Sequence, residues 1–297
     1  MPVVQASTGR PPAGGASVRT GTVGAAATRP SPVAVDLGSG QLRIRLADHG
    51  TISTPVGDRS IRRQPVVRRG QVVDGAGCAA VLSQLLREHR VRVPARPLIV
   101  ACRPLLATAT DQDLTRRVLD AVFAPARLLF IDTVRAAAIG AGAGAGTLLV
   151  ADLGTEVTEV AVLRDSRVVA GRRANLGTGD LAHGATVGTL ADTLTRLVRE
   201  LVRGAGAAPA AATALARGMV LVGDGATRPD LRDCITATTG IPVHRAAGPR
   251  TAALTGASLA AAAAARHPAA DWTEPGPPSP PVRTGPVPAR ARKGTTS

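Results

Sequence analysis

The apolar positions of the chain fall into short runs that stop abruptly, and two of those stops are alike. Val33-Ala34-Val35 ends at Asp36-Leu37-Gly38-Ser39-Gly40, and Leu148-Leu149-Val150-Ala151 ends at Asp152-Leu153-Gly154-Thr155. Leucine or β-branched residues resume after each turn (Ile44 and Leu46; Val157, Val160 and Val162), so each stretch predicts a strand-turn-strand hairpin. Between the hairpins, Val81, Leu82, Leu85 and Leu86 put one apolar face on a helix over residues 76–89, and residues 97–101 read as a buried strand. Asp111 and Asp113 open a second helix carrying Leu114, Val118, Leu119 and Val122, with acid in the first turn where the helix dipole favours it. Residues 128–131 form another strand, and residues 135–146 an Ala/Gly helix that runs out into a glycine repeat. After the second hairpin a glycine turn over residues 176–181 feeds a helix with a stripe of Leu190, Leu194, Leu197, Val198, Leu201 and Val202. Residues 204–214 are Ala/Pro/Gly-rich and read as a linker or a shortened insertion site. The strand 219–222 ends in Gly223-Asp224-Gly225-Ala226, a third glycine turn followed by a helix; a short strand at 241–243 and an alanine-rich helix over 250–265 close the folded part. Strands and helices alternate throughout, the pattern of an α/β fold.

The repeated turn carries the candidate chemistry. Glycine turns leave backbone N–H groups open to an anion, and a carboxylate at the edge suits a hydrated Mg²⁺, which binds through one or two carboxylates plus substrate phosphates. Two such hairpins facing each other would grip a nucleoside triphosphate from both sides.

Composition narrows the partners. The net charge of +15 is nearly all arginine, Lys293 being the only lysine, which favours polyanions or acidic lipid. Single-stranded nucleic acid needs aromatic platforms, and with no Tyr, two Phe and one Trp the chain offers almost none, so no nucleic acid is expected. The arginine-heavy interval 58–69 reads as a solvated loop or strand edge, or as an anion or partner contact. Cys78, Cys102 and Cys234 are far apart and odd in number, which argues against a disulfide framework and for a reducing, cytoplasmic setting. Residues 1–31 and 267–297, rich in Pro, Gly, Ala and Arg, are expected to be disordered tails. The most apolar late run, 252–265, falls short of the ~20 residues that span a bilayer.

Five segments, in order, resemble the actin-like ATPases, and among them the bacterial MreB and Mbl proteins. Residues 35–40 resemble the first phosphate loop. Ile131-Asp132-Thr133-Val134-Arg135-Ala136-Ala137-Ala138-Ile139-Gly140 is similar to the connecting helix that in MreB reads Ile-Glu-Glu-Pro-Met-Ala-Ala-Ala-Ile-Gly. Residues 152–162 resemble the second phosphate loop, Gly223-Asp224-Gly225-Ala226 the adenosine loop, and residues 239–244 the strand before the last helix. The resemblance implies a duplicated actin-like (ribonuclease H-like) α/β core, a first lobe over 32–146 and a second over 147–266, around a nucleotide cleft. It implies ATP and Mg²⁺ as cofactors, with Asp36 and Asp152 holding the hydrated metal. Phosphates would lie on Gly38, Ser39, Gly40, Gly154 and Thr155, and the nucleoside on Gly223 and Gly225. It further implies self-association into filaments and a role in cell shape or cell-wall assembly.

The departures from the family pattern open a second reading. The family glutamate that orients the attacking water falls at Thr133, with Asp132 the available substitute, so hydrolysis is at most weak. Thr155 and Glu156 replace glycines of the second phosphate loop, where a β-carbon and a carboxylate crowd and repel phosphate. The interval 180–217 is short, so the outer part of the second lobe is reduced. The alternative is therefore a non-catalytic actin-fold scaffold acting as accessory to a full-length MreB-type homologue; a sugar kinase or DnaK-type chaperone lacks its substrate domain here. The family membrane loop falls at residues 89–96, where Val91 and Val93 alternate with arginines, which implies contact with the anionic inner face of the membrane.

Overall fold

Each Asp-Leu-Gly turn caps an antiparallel hairpin in a computed structural model that describes residues 31–56, 64–204 and 208–267. In the first half, β1 (Pro32–Leu37), β2 (Gln41–Leu46) and β3 (Gly50–Pro55) form a meander. A small hairpin of β4 (Val67–Arg68) and β5 (Gln71–Val72) leads into α1 (Gly75–Glu88). Then come β6 (Leu98–Arg103), α2 (Ala109–Phe123), β7 (Arg127–Asp132) and α3 (Thr133–Gly140). The second half repeats the meander with β8 (Thr147–Leu153), β9 (Thr158–Arg164) and β10 (Arg167–Ala174). A 3₁₀ turn at Thr178–His183 precedes α4 (Val187–Arg203) and α5 (Ala208–Ala216). The chain continues through β11 (Met219–Val222), a 3₁₀ turn at Gly225–Thr227, α6 (Pro229–Thr239), β12 (Val243–Arg245) and α7 (Ala252–Arg266). The two main sheets run β3-β2-β1-β6-β7 and β10-β9-β8-β11-β12. In each, the first strand of an antiparallel meander also pairs with a parallel strand that returns by a helix, so one path is traced twice.

Residue choice explains the layers. Val33, Ala34 and Val35 are buried in succession because β1 lies mid-sheet with both faces covered, whereas β2 alternates, burying Leu42, Ile44 and Leu46. Both helix starts are capped: Asp74 accepts from the Gly77 N–H at 2.8 Å on α1, and Thr108 and Asp111 form a reciprocal capping box on α2, where acid in the first turn was expected. The α4 stripe of Leu190, Leu194, Leu197, Val198 and Leu201 is buried on the second sheet.

Helices α3 and α7 lie between the sheets. Val134, Ala137 and Ala138 of α3 meet Leu148, Val150, Ala161 and Leu163 of the second sheet. Leu254, Ala257 and Ala261 of α7 meet Ala34, Leu98, Val100 and Ile131 of the first. Where the two helices cross, a β-carbon on Gly140 would collide with the Ala252 carbonyl, and one on Gly256 with the Ala136 carbonyl. Only glycine permits so close an approach of backbones.

Two expectations change. The 204–214 linker is helical from residue 208: α5 lies on β8 and buries Ala210, Ala211 and Ala214. The 135–146 helix stops at Gly140, since Gly142 and Gly146 take φ of 71° and 75°. β3 and β10 were not foreseen. In the 89–96 loop, Val91 and Val93 are half-buried against the core of the first lobe, with Arg90 and Arg92 exposed beside them. Residues 58–63 of the arginine-heavy interval, and both tails except Ser31 and His267, lie outside the described residues. No helix among the described residues is long and apolar enough to cross a membrane.

Candidate functional site

Three strands, β1, β8 and β11, deliver their C-terminal ends to one cleft between the lobes, the position at which open α/β sheets bind ligands. Its walls include Asp36, Gly38, Ser39 and Gly40 from the first hairpin, Asp152, Gly154, Thr155 and Glu156 from the second, and Gly223 and Asp224 beyond β11. The two glycine turns touch. A β-carbon on Gly40 would collide with the Thr155 hydroxyl, and Thr155 is fixed from behind by the Gly179 N–H, which its carbonyl accepts at 2.7 Å. The Thr155 hydroxyl donates to Asp224 Oδ2 at 2.8 Å. What remains is a cleft of about 100 Å³.

Hairpin register sets the charges. Asp36 pairs across the strands with Arg43, and Asp152 occupies the same position opposite Glu159. Arg43 Nη1 lies 3.3 Å from Asp36 Oδ2 and Nη2 lies 3.9 Å from Asp224 Oδ1, while Arg250 Nε reaches Asp224 Oδ1 at 3.3 Å. Burial pushes the Asp36 carboxyl above its ordinary value, against the pull of Arg43. Asp152 rises to about 7, first by burial and then by the neighbouring charges of Asp36 and Asp224. Glu159 rises to about 8, by burial and then by Asp152, with Arg173 and the Leu105 N–H drawing it down. Burial and these carboxylates push the Cys102 thiol up, which keeps it protonated and unreactive.

A clasp closes the mouth. Arg69 and Gly70, at φ of 50° and 70°, form the two-residue tip of the β4–β5 hairpin in the turn geometry that matches strand twist. The tip crosses to the second lobe, where the Arg69 N–H donates to Glu156 Oε2 at 2.5 Å and its guanidinium to the Asn175 carbonyl at 2.8 Å. Arg173 answers by donating to the Arg69 and Leu105 carbonyls, and Glu159 accepts from the Leu105 N–H at 2.6 Å. The Gly70 N–H donates to Ser39 Oγ at 2.6 Å, so the hydroxyl of the first glycine turn is already engaged.

Asp36, Asp152, Gly38, Ser39, Gly40, Gly154, Thr155, Gly223 and Thr133 all line this one cleft. Gly225 does not; it is buried, and a β-carbon there would press on Leu153 and Leu231. The Thr133 hydroxyl donates to the Arg103 carbonyl at 2.9 Å, and Asp132 stands outside the cleft wall in a 2.8 Å pair with Arg103 Nε. Sequence reasoning missed Arg43, Glu159, Arg250 and the Arg69–Gly70 tip. The first two were readable from the hairpins, because a turn of this length places the residue seven after each aspartate directly across from it.

No protein-family model and no curated protein matches the chain. Among solved structures it is similar to MreB5 of Spiroplasma citri bound to AMPPNP, with 12% identity and a TM-score of 0.67 over 77% of this chain and 95% of that one. It is similar also to the ethanolamine utilization protein EutJ of Carboxydothermus hydrogenoformans, at 16% identity and a TM-score of 0.58 over 77% and 89% of the two chains. The PilM–PilN type IV pilus biogenesis complex matches at 14% identity and 0.53 over 78% of this chain and 99% of that chain.

Proposed function

We propose that this chain, which has the actin-like fold and resembles MreB, is a non-hydrolysing scaffold whose lobes are held shut by its own side chains. The observation that carries the reading is the contact of the two glycine turns through Thr155 and Gly40. A triphosphate would have to lie between those turns, and drug- and cofactor-sized pockets run to about 300–1,000 Å³. The cleft, at about 100 Å³, does not fit the nucleotide in this closed form. Nor does the position that orients water in the family carry a base: it is Thr133, which is no carboxylate, and its neighbour Asp132 is paired with Arg103. Such a scaffold works by presenting a fixed two-lobed surface, as accessory to a full-length MreB-type partner or to copies of itself. On this reading the first lobe spans residues 32–146 and the second 147–266.

The nucleotide-bound state of the MreB5 structure favours a second reading, an ATP-binding MreB-like protein of filaments, cell shape or wall assembly. There the clasp opens, Asp36 and Asp152 hold hydrated Mg²⁺, and the glycine turns receive phosphates. Titration calorimetry with ATP and Mg²⁺ separates the two. The scaffold reading expects no heat at millimolar nucleotide. Binding whose Mg²⁺ dependence disappears in Asp36→Ala and Asp152→Ala establishes the second reading instead.

A further inference from the structure

The carboxylates of Asp36, Asp152 and Asp224 converge on the cleft from the ends of three different strands, an arrangement that leaves negative charge in a place with little water. Something must balance it, and Mg²⁺ would use oxygen ligands of this kind. The balance already present is Arg43. It springs from β2 directly across from Asp36, its side chain is only 11% exposed, and its two terminal nitrogens are split between Asp36 and Asp224. A guanidinium stays charged at every pH the fold survives, and its fork geometry suits two carboxylates at once. Among the described residues no group of three or more His, Cys, Asp or Glu side chains stands ready to hold a metal ion.

We propose that Arg43 is the resident counter-ion of the cleft, its guanidinium taking the place between the strand-end carboxylates that a divalent cation would need. The site and Mg²⁺ therefore do not fit each other while Arg43 is in position. Arg250 assists from outside by holding the far carboxylate, Asp224, but at 61% side-chain exposure it is screened by water and secondary. The balance is internal and permanent, so the closed state depends on neither metal nor nucleotide. In this the inference rests on the closed-cleft scaffold and names what holds its centre together.

The experiment removes the guanidinium while keeping the bulk: Arg43→Met. Thermal melting is followed with and without millimolar Mg²⁺, and Mn²⁺ binding by its effect on water proton relaxation. The wild-type protein should melt at the same temperature with either ion or none and leave Mn²⁺ relaxation as in buffer. Arg43→Met should melt lower without metal, recover part of the loss with Mg²⁺, and bind Mn²⁺. Adding Asp152→Asn should abolish that gain. Wild-type binding of Mn²⁺ or stabilisation by Mg²⁺ overturns the proposal, as does an Arg43→Met protein that melts lower and gains nothing from either ion. If Arg43→Met does not fold, Arg43→Lys replaces it: a single ammonium cannot span both carboxylates, so melting should drop and partly return with Mg²⁺, and an unchanged melt overturns the proposal. The outcomes separate from those of the ATP titration. Protein that takes Mn²⁺ but no ATP ends the counter-ion role and leaves the scaffold, whereas protein that binds ATP without metal ends the scaffold and leaves Arg43 its role.

Discussion

Asp36 and Asp152 hold equivalent places in two copies of one hairpin and keep opposite company: a guanidinium faces the first and a carboxylate the second. The second copy therefore stores protons. In the fold Asp152 ionises near about 7 and Glu159 near about 8, against ordinary values of 3.8 and 4.5. Between those limits the folded state holds protons that the unfolded chain has released, so stability is greatest at the acid end and falls as pH rises from about 4 to about 8. Chemical denaturation midpoints measured across that range should decline, and Asp152→Asn or Glu159→Gln should each flatten the decline. A midpoint that rises over the same range would show that the two carboxyls are ionised in the fold. The aspartates were legible from sequence because each ends an apolar run. Their partners were not, because a cross-strand pair emerges only once the turn length fixes the register.

At the scale of elements, what could be read depended on contrast. α4 announced itself because leucine and valine on one face stand against arginine, glutamate and aspartate on the other. α5 has no such contrast: buried Ala210, Ala211 and Ala214 sit beside exposed Ala212, so one residue type serves both faces and the segment reads as a linker. The small side chain is what lets the helix lie close on β8. Ala211→Asp should then cost on the order of 3 kcal/mol in urea unfolding by burying an uncompensated charge, while Ala212→Asp should stay within about 0.5 kcal/mol. Equal effects would mean that α5 is not held against the sheet. The β4–β5 tip was illegible for a different reason. Its partners, Glu156, Asn175 and Arg173, lie far along the chain on the other lobe, and nothing local signals them.

The whole molecule is tied at two levels, by the clasp at the cleft mouth and by α3 and α7 crossing beneath it. The clasp is tested by Arg173→Met, which removes the donors to the Arg69 and Leu105 carbonyls. Backbone amides of Arg69, Gly70 and Leu105 should then exchange with solvent faster by about tenfold for each ~1.4 kcal/mol lost, with the β8–β9 ladder unchanged. Unchanged protection at all three amides would mean that Arg173 does not hold the lobes together. The crossing helices bear on how the chain comes to exist. α7 is the last described element to be made, yet it covers Ala34, Leu98, Val100 and Ile131 of the first sheet. At a ribosomal speed of about 5–20 residues per second, the strands of that sheet emerge on the order of ten seconds before their cover does. During synthesis the nascent first lobe carries a bare apolar face, exposed to chaperones and to its neighbours on the polysome, and it is complete only when α7 leaves the ribosome.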